Sequence, residues 1–127
     1  MDLVVFLPPT QDPSWEASLL DLVRRLWRMG RVEHHASLEA LGARLGRPRP
    51  EPFHLLLCPA HAADLDRLVA MRDLLAESPT ICLLPDNLPH TLARGHLLHP
   101  RLVIPRQGSE EIIAQVLRNF QNRDKSN

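Results

Sequence analysis

Cys58 is the residue of this sequence whose position most invites a chemical role. It ends the apolar run FHLLLC (53–58) and is followed by a helical pattern. In open α/β folds, the carboxyl end of such a strand is where ligands and reactive groups are usually held. A reactive thiol also needs a helix N-terminus, a cation or a histidine to lower its pKa, and His61 lies three residues on. The alternative is a small apolar residue at the end of a buried strand, which the following Pro59 and the lack of a glycine-rich turn favour.

Metal, nucleotide and disulfide chemistry find little support in the residue spacing. The chain has seven histidines, but the only compact pairs are Cys58 with His61 and His96 with His99, and zinc sites usually show more short-range ligands. No glycine-rich phosphate loop follows the first apolar run. Cys82 is expected about two residues below Cys58 on the neighbouring strand, at a Cα separation of about 8 Å that a disulfide does not span. We therefore predict no metal and no cofactor.

Length, charge and composition exclude several classes of protein. The chain has 127 residues, of which 44% are hydrophobic, so one domain with a full core is expected. Lys+Arg and Asp+Glu both number 15, so the chain has no net positive charge that would attract nucleic acid. A stripe of Arg24, Arg28 and Arg31 is most simply a solvated helix face, and we predict no nucleic-acid binding.

The distribution of apolar residues predicts a cytoplasmic protein. No apolar run approaches the roughly 18 residues of a transmembrane helix, so no membrane association is expected. The first residues lack a basic segment and place Asp2 where a signal peptide would carry Lys or Arg. Two cysteines in the whole chain fit a reducing compartment.

Short apolar runs that alternate with helical patterns predict the fold. The predicted strands are LVVFL (3–7), FHLLLC (53–58), TICLL (80–84), RLVI (101–104) and, at an edge, RVEHHA (31–36). Helical patterns begin at Asp12–Pro13, with Asp12 as the predicted capping residue, and at Ser37, which is the predicted cap of 37–46. Further helical patterns cover 62–78, 89–98 and 109–122, the last with Ile112 facing inward. This order predicts a doubly wound, five-stranded parallel sheet of flavodoxin-like α/β type, with strand order 2-1-3-4-5 and helices on both faces in three layers. We assign residues 1–122 to one domain and 123–127 to a polar tail.

The chain resembles the receiver domain of two-component response regulators over essentially its whole length. The resemblance rests on element order and spacing more than on identity. It is carried by GRVEHHASLEALGARL (30–45) and by FHLLLCPAHAADLDRLVAMRDLLAESPTICLL (53–84), which includes the proline before the fourth strand.

The resemblance implies a phosphorylation pocket whose signature residues this chain lacks. Active receivers hold Mg²⁺ with an acidic pair after the first strand and accept phosphate on an Asp after the third. They also use Ser or Thr after the fourth strand and Lys after the fifth. In this chain the corresponding positions are Leu7 and Pro8, Cys58, Pro85 and Pro105, and proline lacks the N–H that phosphate sites use.

The sequence is therefore interpreted as a degenerate receiver, or pseudo-receiver. The charged residues Asp12, Asp86 and Arg106 could restore part of a pocket only if the assignment were shifted by one to four positions.

The function expected from this resemblance is non-enzymatic. We predict a phosphorylation-independent signalling or scaffolding domain that acts through protein–protein contact, with a homodimer as one option. In the family, the fourth helix, fifth strand and fifth helix form the usual docking face, and the matching positions are Leu92, Arg94, Leu97, Leu98, Arg101 and Arg118. The alternative is a flavodoxin-like small-molecule-binding protein or enzyme that uses the strand-end cleft around Cys58 and His61.

Overall fold

A computed structural model describes residues 1–48 and 52–125 of the protein. The strands are β1 (Asp2–Phe6), β2 (Val32–His35), β3 (Phe53–Leu57), β4 (Thr80–Leu84) and β5 (Leu102–Pro105). The helices are α1 (Pro13–Leu26), α2 (Leu38–Leu45), α3 (Ala62–Ala70), α4 (Arg72–Leu75), α5 (Pro89–His96) and α6 (Glu110–Lys125). The strands form one all-parallel sheet with the order β2-β1-β3-β4-β5. The predicted flavodoxin-like, doubly wound fold is confirmed.

The sheet is covered on both faces because its strands carry apolar side chains at successive positions. Side chains alternate between the two faces of a strand, so Val4 and Phe6 join the core on one face while Leu3 and Val5 join the other. Helices α2, α3, α4 and α5 pack on the first face, and α1 and α6 pack on the second. The strands are apolar at nearly every position because both of their faces are covered by helices.

Two helices begin where the sequence predicts a capping residue. The Asp12 carboxylate accepts a hydrogen bond from the Trp15 backbone N–H at 3.1 Å, and the Ser37 hydroxyl accepts one from Ala40 at 3.1 Å. Each satisfies an N–H group that has no partner within the first turn.

Several predicted helix boundaries differ from the structure. The helix predicted over 62–78 is divided at Met71, whose φ of −106° and ψ of 20° are not helical. No glycine or proline marks this break in the sequence. Helix α6 continues to Lys125 and so includes part of the segment interpreted as a polar tail. Ile112, predicted to face inward, is 45% exposed. Residues 49–51 of the proline-rich connection before β3, and residues 126–127 of the tail, lie outside the described residues.

The C-terminal helix is tied to the end of α1 by one buried amide. The Gln121 side chain donates to the carbonyl oxygens of Leu26 (2.9 Å) and Leu117 (3.2 Å), and accepts from the Arg28 backbone N–H (2.7 Å). Only 9% of Gln121 is exposed. The last carbonyl groups of a helix have no partners within it. The Gln121 side chain, which belongs to α6, supplies the hydrogen bond that the Leu26 carbonyl at the end of α1 would otherwise lack.

Candidate functional site

The residues predicted at the strand ends lie along one edge of the sheet, because all strands run parallel. Leu7 and Pro8 follow β1, Cys58 follows β3, Pro85 follows β4, and Pro105 ends β5. Leu7 is 1% exposed and Cys58 is 2% exposed, whereas Pro85 and Pro105 are half-buried. These positions therefore present apolar side chains where a hard cation or a phosphoryl group would need oxygen ligands or N–H donors.

Cys58 is a core residue in this structure. Its thiol packs within the core beneath α1 and α6, and its backbone N–H donates to the Phe6 carbonyl at 2.8 Å, which continues the sheet. Burial raises the pKa of the Cys58 thiol well above its ordinary value, nearby Cys82 raises it further, and Arg106 lowers it by less. A thiol that stays protonated is a poor nucleophile.

The Cys–His pair suggested by the sequence is not formed. His61 is exposed at the start of α3, and within residues 1–48 and 52–125 no hydrogen bond joins it to the buried Cys58. The local sequence places the two residues three positions apart, but only Cys58 continues the strand into the core.

Cys82 also differs in position from the sequence prediction. It lies opposite Leu57 in the β3–β4 register, so it is one residue below Cys58 and not two. The two thiols belong to the cores on opposite faces of the sheet, and both are free. Burial raises the pKa of Cys82 to about 12. The alternation of side chains across the sheet therefore separates the two thiols.

A polar cleft of about 580 Å³ lies beside the filled strand ends. It is bounded by the loops that follow β1, β4 and β5, and Asp12, Asp86 and Arg106 all line it together with Trp15. The sequence places these three charged residues near this edge but outside the signature positions of a receiver. The tertiary structure brings them together around one cleft.

Arg106 is the central side chain of this cleft. Its guanidinium carbon lies 5.3 Å from the centre of the Trp15 ring, a cation–π contact. The backbone holds it firmly: the Arg106 N–H donates to the Leu84 carbonyl (2.9 Å), and the Arg106 carbonyl accepts from the Ser109 hydroxyl (2.7 Å). The loop then turns through Gly108, whose φ of +71° favours glycine.

Asp86 supplies an ionised carboxylate to the cleft. Its pKa is lowered, first by the Thr91 hydroxyl, next by the backbone N–H of Leu88, and least by the charge of His90. The Leu88 N–H donates to one carboxylate oxygen at 3.0 Å. The carboxylate is thus held in one orientation at the start of α5.

A second cavity of about 180 Å³ shares Arg106 with this cleft. Its lining comes from the loops after β1 and β3, through Gln11 and His61. Strand β1 is where the order of the sheet reverses, and in open α/β sheets ligands bind outside the carboxyl ends of the strands at such a switch point. Of the residues that the alternative prediction named, His61 lines this cavity and Cys58 does not.

The candidate interaction face is only partly available. Leu97 is 50% exposed, and Arg101 and Arg118 are also exposed. Leu98 is 4% exposed and belongs to the core, which corrects its assignment to the face; Leu92 is half-buried against the same core.

Arg94 is also partly committed within the chain. Its guanidinium pairs with the Asp66 carboxylate of α3 at 3.1 Å. The side chain is therefore turned toward the neighbouring helix.

The described part of the chain has neither a metal-binding cluster nor a membrane-spanning helix. No three His, Cys, Asp or Glu side chains of those residues converge in a way that could hold a metal ion. None of the helices described has both the length and the apolarity needed to cross a membrane.

The fold and the cleft define a three-layer α/β protein of flavodoxin-like topology, with a polar cleft at the carboxyl edge of its sheet. Comparison with protein-family models, with curated proteins and with solved structures finds no match for the chain.

Proposed function

We propose that this protein is a receiver-like domain that works without phosphorylation, through contact with another protein chain. The observation that carries the proposal is the burial of Cys58, at 2% exposure, in the position where the resemblance places the phosphoaccepting aspartate. A thiol that forms part of the core cannot be reached by a phosphoryl donor. The apolar side chains of Leu7 and Pro8 add no ligand for the cation that such chemistry uses.

Phosphoryl transfer provides the direct test. The protein is expected to gain no phosphoryl group after incubation with acetyl phosphate and Mg²⁺, because the acceptor position is the buried Cys58 and the positions of the acidic pair are Leu7 and Pro8. Intact-mass spectrometry of the folded protein measures the outcome. A phosphorylated product, or a melting temperature that rises with Mg²⁺, would contradict the proposal.

The protein contact is proposed to involve the surface where α5 leads into β5. Leu97 is 50% exposed there, and β5 is an edge strand whose one pairing partner among the described residues is β4. An edge strand presents unpaired backbone groups that another chain can use, and the exposed Arg101 stands beside it. A second copy of the chain is the partner that can be tested first.

Replacement of Leu97 tests this surface. We expect Leu97→Ser to weaken self-association at least tenfold, because an exposed apolar side chain contributes to binding by leaving water. Sedimentation equilibrium over a range of protein concentrations measures the effect. Leu74→Ser is the matched control, since Leu74 lies on α4 and is similarly exposed, at 42%. A protein that stays monomeric at every concentration, or equal effects of the two variants, would contradict self-association through this surface.

A further inference from the structure

The cleft around Arg106 has the size and the composition of a small-molecule site. Its volume of about 580 Å³ falls within the range of ligand pockets, roughly 300–1,000 Å³. Three separate loops contribute to it, through Asp12, Asp86 and Arg106. Convergent polar groups on loops at the carboxyl edge of a parallel sheet are the usual setting for ligand recognition.

Arg106 supplies a cation that the protein itself leaves without a counter-ion. Among the described residues, no carboxylate forms an ion pair with its guanidinium, although Asp12 and Asp86 line the same cleft. The residue is half-buried, and its guanidinium lies over the Trp15 ring at 5.3 Å. A planar guanidinium held in this way presents its N–H donors as a fork that matches a carboxylate.

The remaining groups of the cleft limit which anion fits. Pro85 and Pro105 provide no N–H donors, so the backbone does not form the cradle that phosphate groups usually need. Asp12 and Asp86 each accept a backbone N–H through one oxygen, which orients both carboxylates. Two carboxylates and one guanidinium carry a net negative charge, so a dianion is repelled while a ligand with its own cationic group is attracted.

We propose that this cleft binds a small zwitterion with one carboxylate and one ammonium group, the chemical class of the free α-amino acids. The carboxylate pairs with the Arg106 guanidinium, and the ammonium group faces the carboxylates of Asp12 and Asp86. Trp15 forms the wall on which Arg106 rests. This binding site goes beyond the proposed contact function and does not depend on it.

The test is a binding titration with defined probes. Each of the twenty common α-amino acids is added singly to the ¹⁵N-labelled full chain, and amide shifts are followed by NMR; acetate, ethylamine and inorganic phosphate serve as single-charge and phosphate probes. At least one amino acid is expected to bind saturably and to shift amides in the loops after β1, β4 and β5. Acetate and ethylamine are expected to bind at least tenfold more weakly, because each engages only half of the site.

Three variants assign the binding to the cleft. Arg106→Gln is expected to weaken binding at least tenfold, and Asp86→Asn to weaken it severalfold, while Arg118→Gln on the exposed surface of α6 leaves it unchanged. Arg106→Lys keeps the charge but loses the planar fork, so it also weakens binding if a carboxylate is held bidentately. Far-UV circular dichroism confirms that each variant is folded.

Several outcomes would overturn the proposal. These are the absence of saturable binding for all twenty amino acids, tighter binding of phosphate than of any of them, or unchanged binding in the folded Arg106→Gln variant. None of these outcomes bears on the acetyl phosphate experiment, so failure here is distinguishable from failure of the proposed contact function.

Discussion

Replacing Cys58 by aspartate is expected to destabilise the protein by about 3–5 kcal/mol at neutral pH, the cost of an uncompensated buried charge. The thiol lies in the core beneath α1 and α6 at 2% exposure. The Arg106 guanidinium lies on the cleft side, over Trp15, and its charge offsets the effect of burial at position 58 only in part, as it does for the pKa of the Cys58 thiol. The variant therefore supplies the residue type of an active receiver but not its surroundings.

The destabilisation of Cys58→Asp is expected to depend on pH with a definite sign. Burial would raise the folded-state pKa of the new carboxyl above its unfolded value of about 3.9. A raised folded-state pKa means that the folded protein binds the proton more tightly than the unfolded chain. The variant is thus most stable relative to the original protein below about pH 4, and it loses stability as pH rises toward the folded-state pKa.

Urea denaturation at several pH values between 4 and 8 measures this difference, with Cys58→Ala as the control. The alanine variant loses about 1 kcal/mol through the smaller side chain, and this loss changes little between pH 4 and 8 because alanine does not ionise and an unfolded thiol titrates only at about pH 8.5. Equal stability of Cys58→Asp and Cys58→Ala at neutral pH would show that position 58 is open to water, which would remove the observation that carries the proposed function.

Replacing Gln121 by alanine is expected to destabilise the protein by about 2–3 kcal/mol. The amide makes three hydrogen bonds, to Leu26, Arg28 and Leu117, and alanine leaves the end of α1 without the partners that α6 supplies. Polar groups left unpaired at a buried position cost more than the net value of a hydrogen bond.

The matched control for this variant is Gln115→Ala on the same helix. The Gln115 amide donates to Asn119 at 3.1 Å on the exposed surface, so its loss is expected to change the free energy of unfolding by no more than about 0.5 kcal/mol. Thermal and urea denaturation of both variants measure the difference. A Gln121→Ala variant as stable as Gln115→Ala would show that water satisfies the end of α1 and that Gln121 does not tie the two helices together.

The sequence alone was sufficient to predict the strand order of the sheet and the residues that lie at its carboxyl edge. Strands covered on both faces have an apolar run as their signature, and the alternation with helices leaves few ways to connect them, so the strand order was predictable. The residues that end the strands follow from position in the chain, which placed Cys58, Pro85 and Pro105 at one edge. The capping of α1 by Asp12 was also predictable, because a helix cap depends on residues that are close together in the chain.

Only the tertiary structure decided which side chains at that edge meet. Arg106 rests on Trp15 and lines the same cleft as Asp86, although Trp15 belongs to α1 and the other two residues to loops that are distant from it in sequence. The burial of Leu98 and the contact of Gln121 with α1 likewise depend on how neighbouring elements pack. Patterns of period two or 3.6 report which face of an element is buried. They do not report which distant side chain lies opposite, because that depends on the packing of elements far apart in the chain.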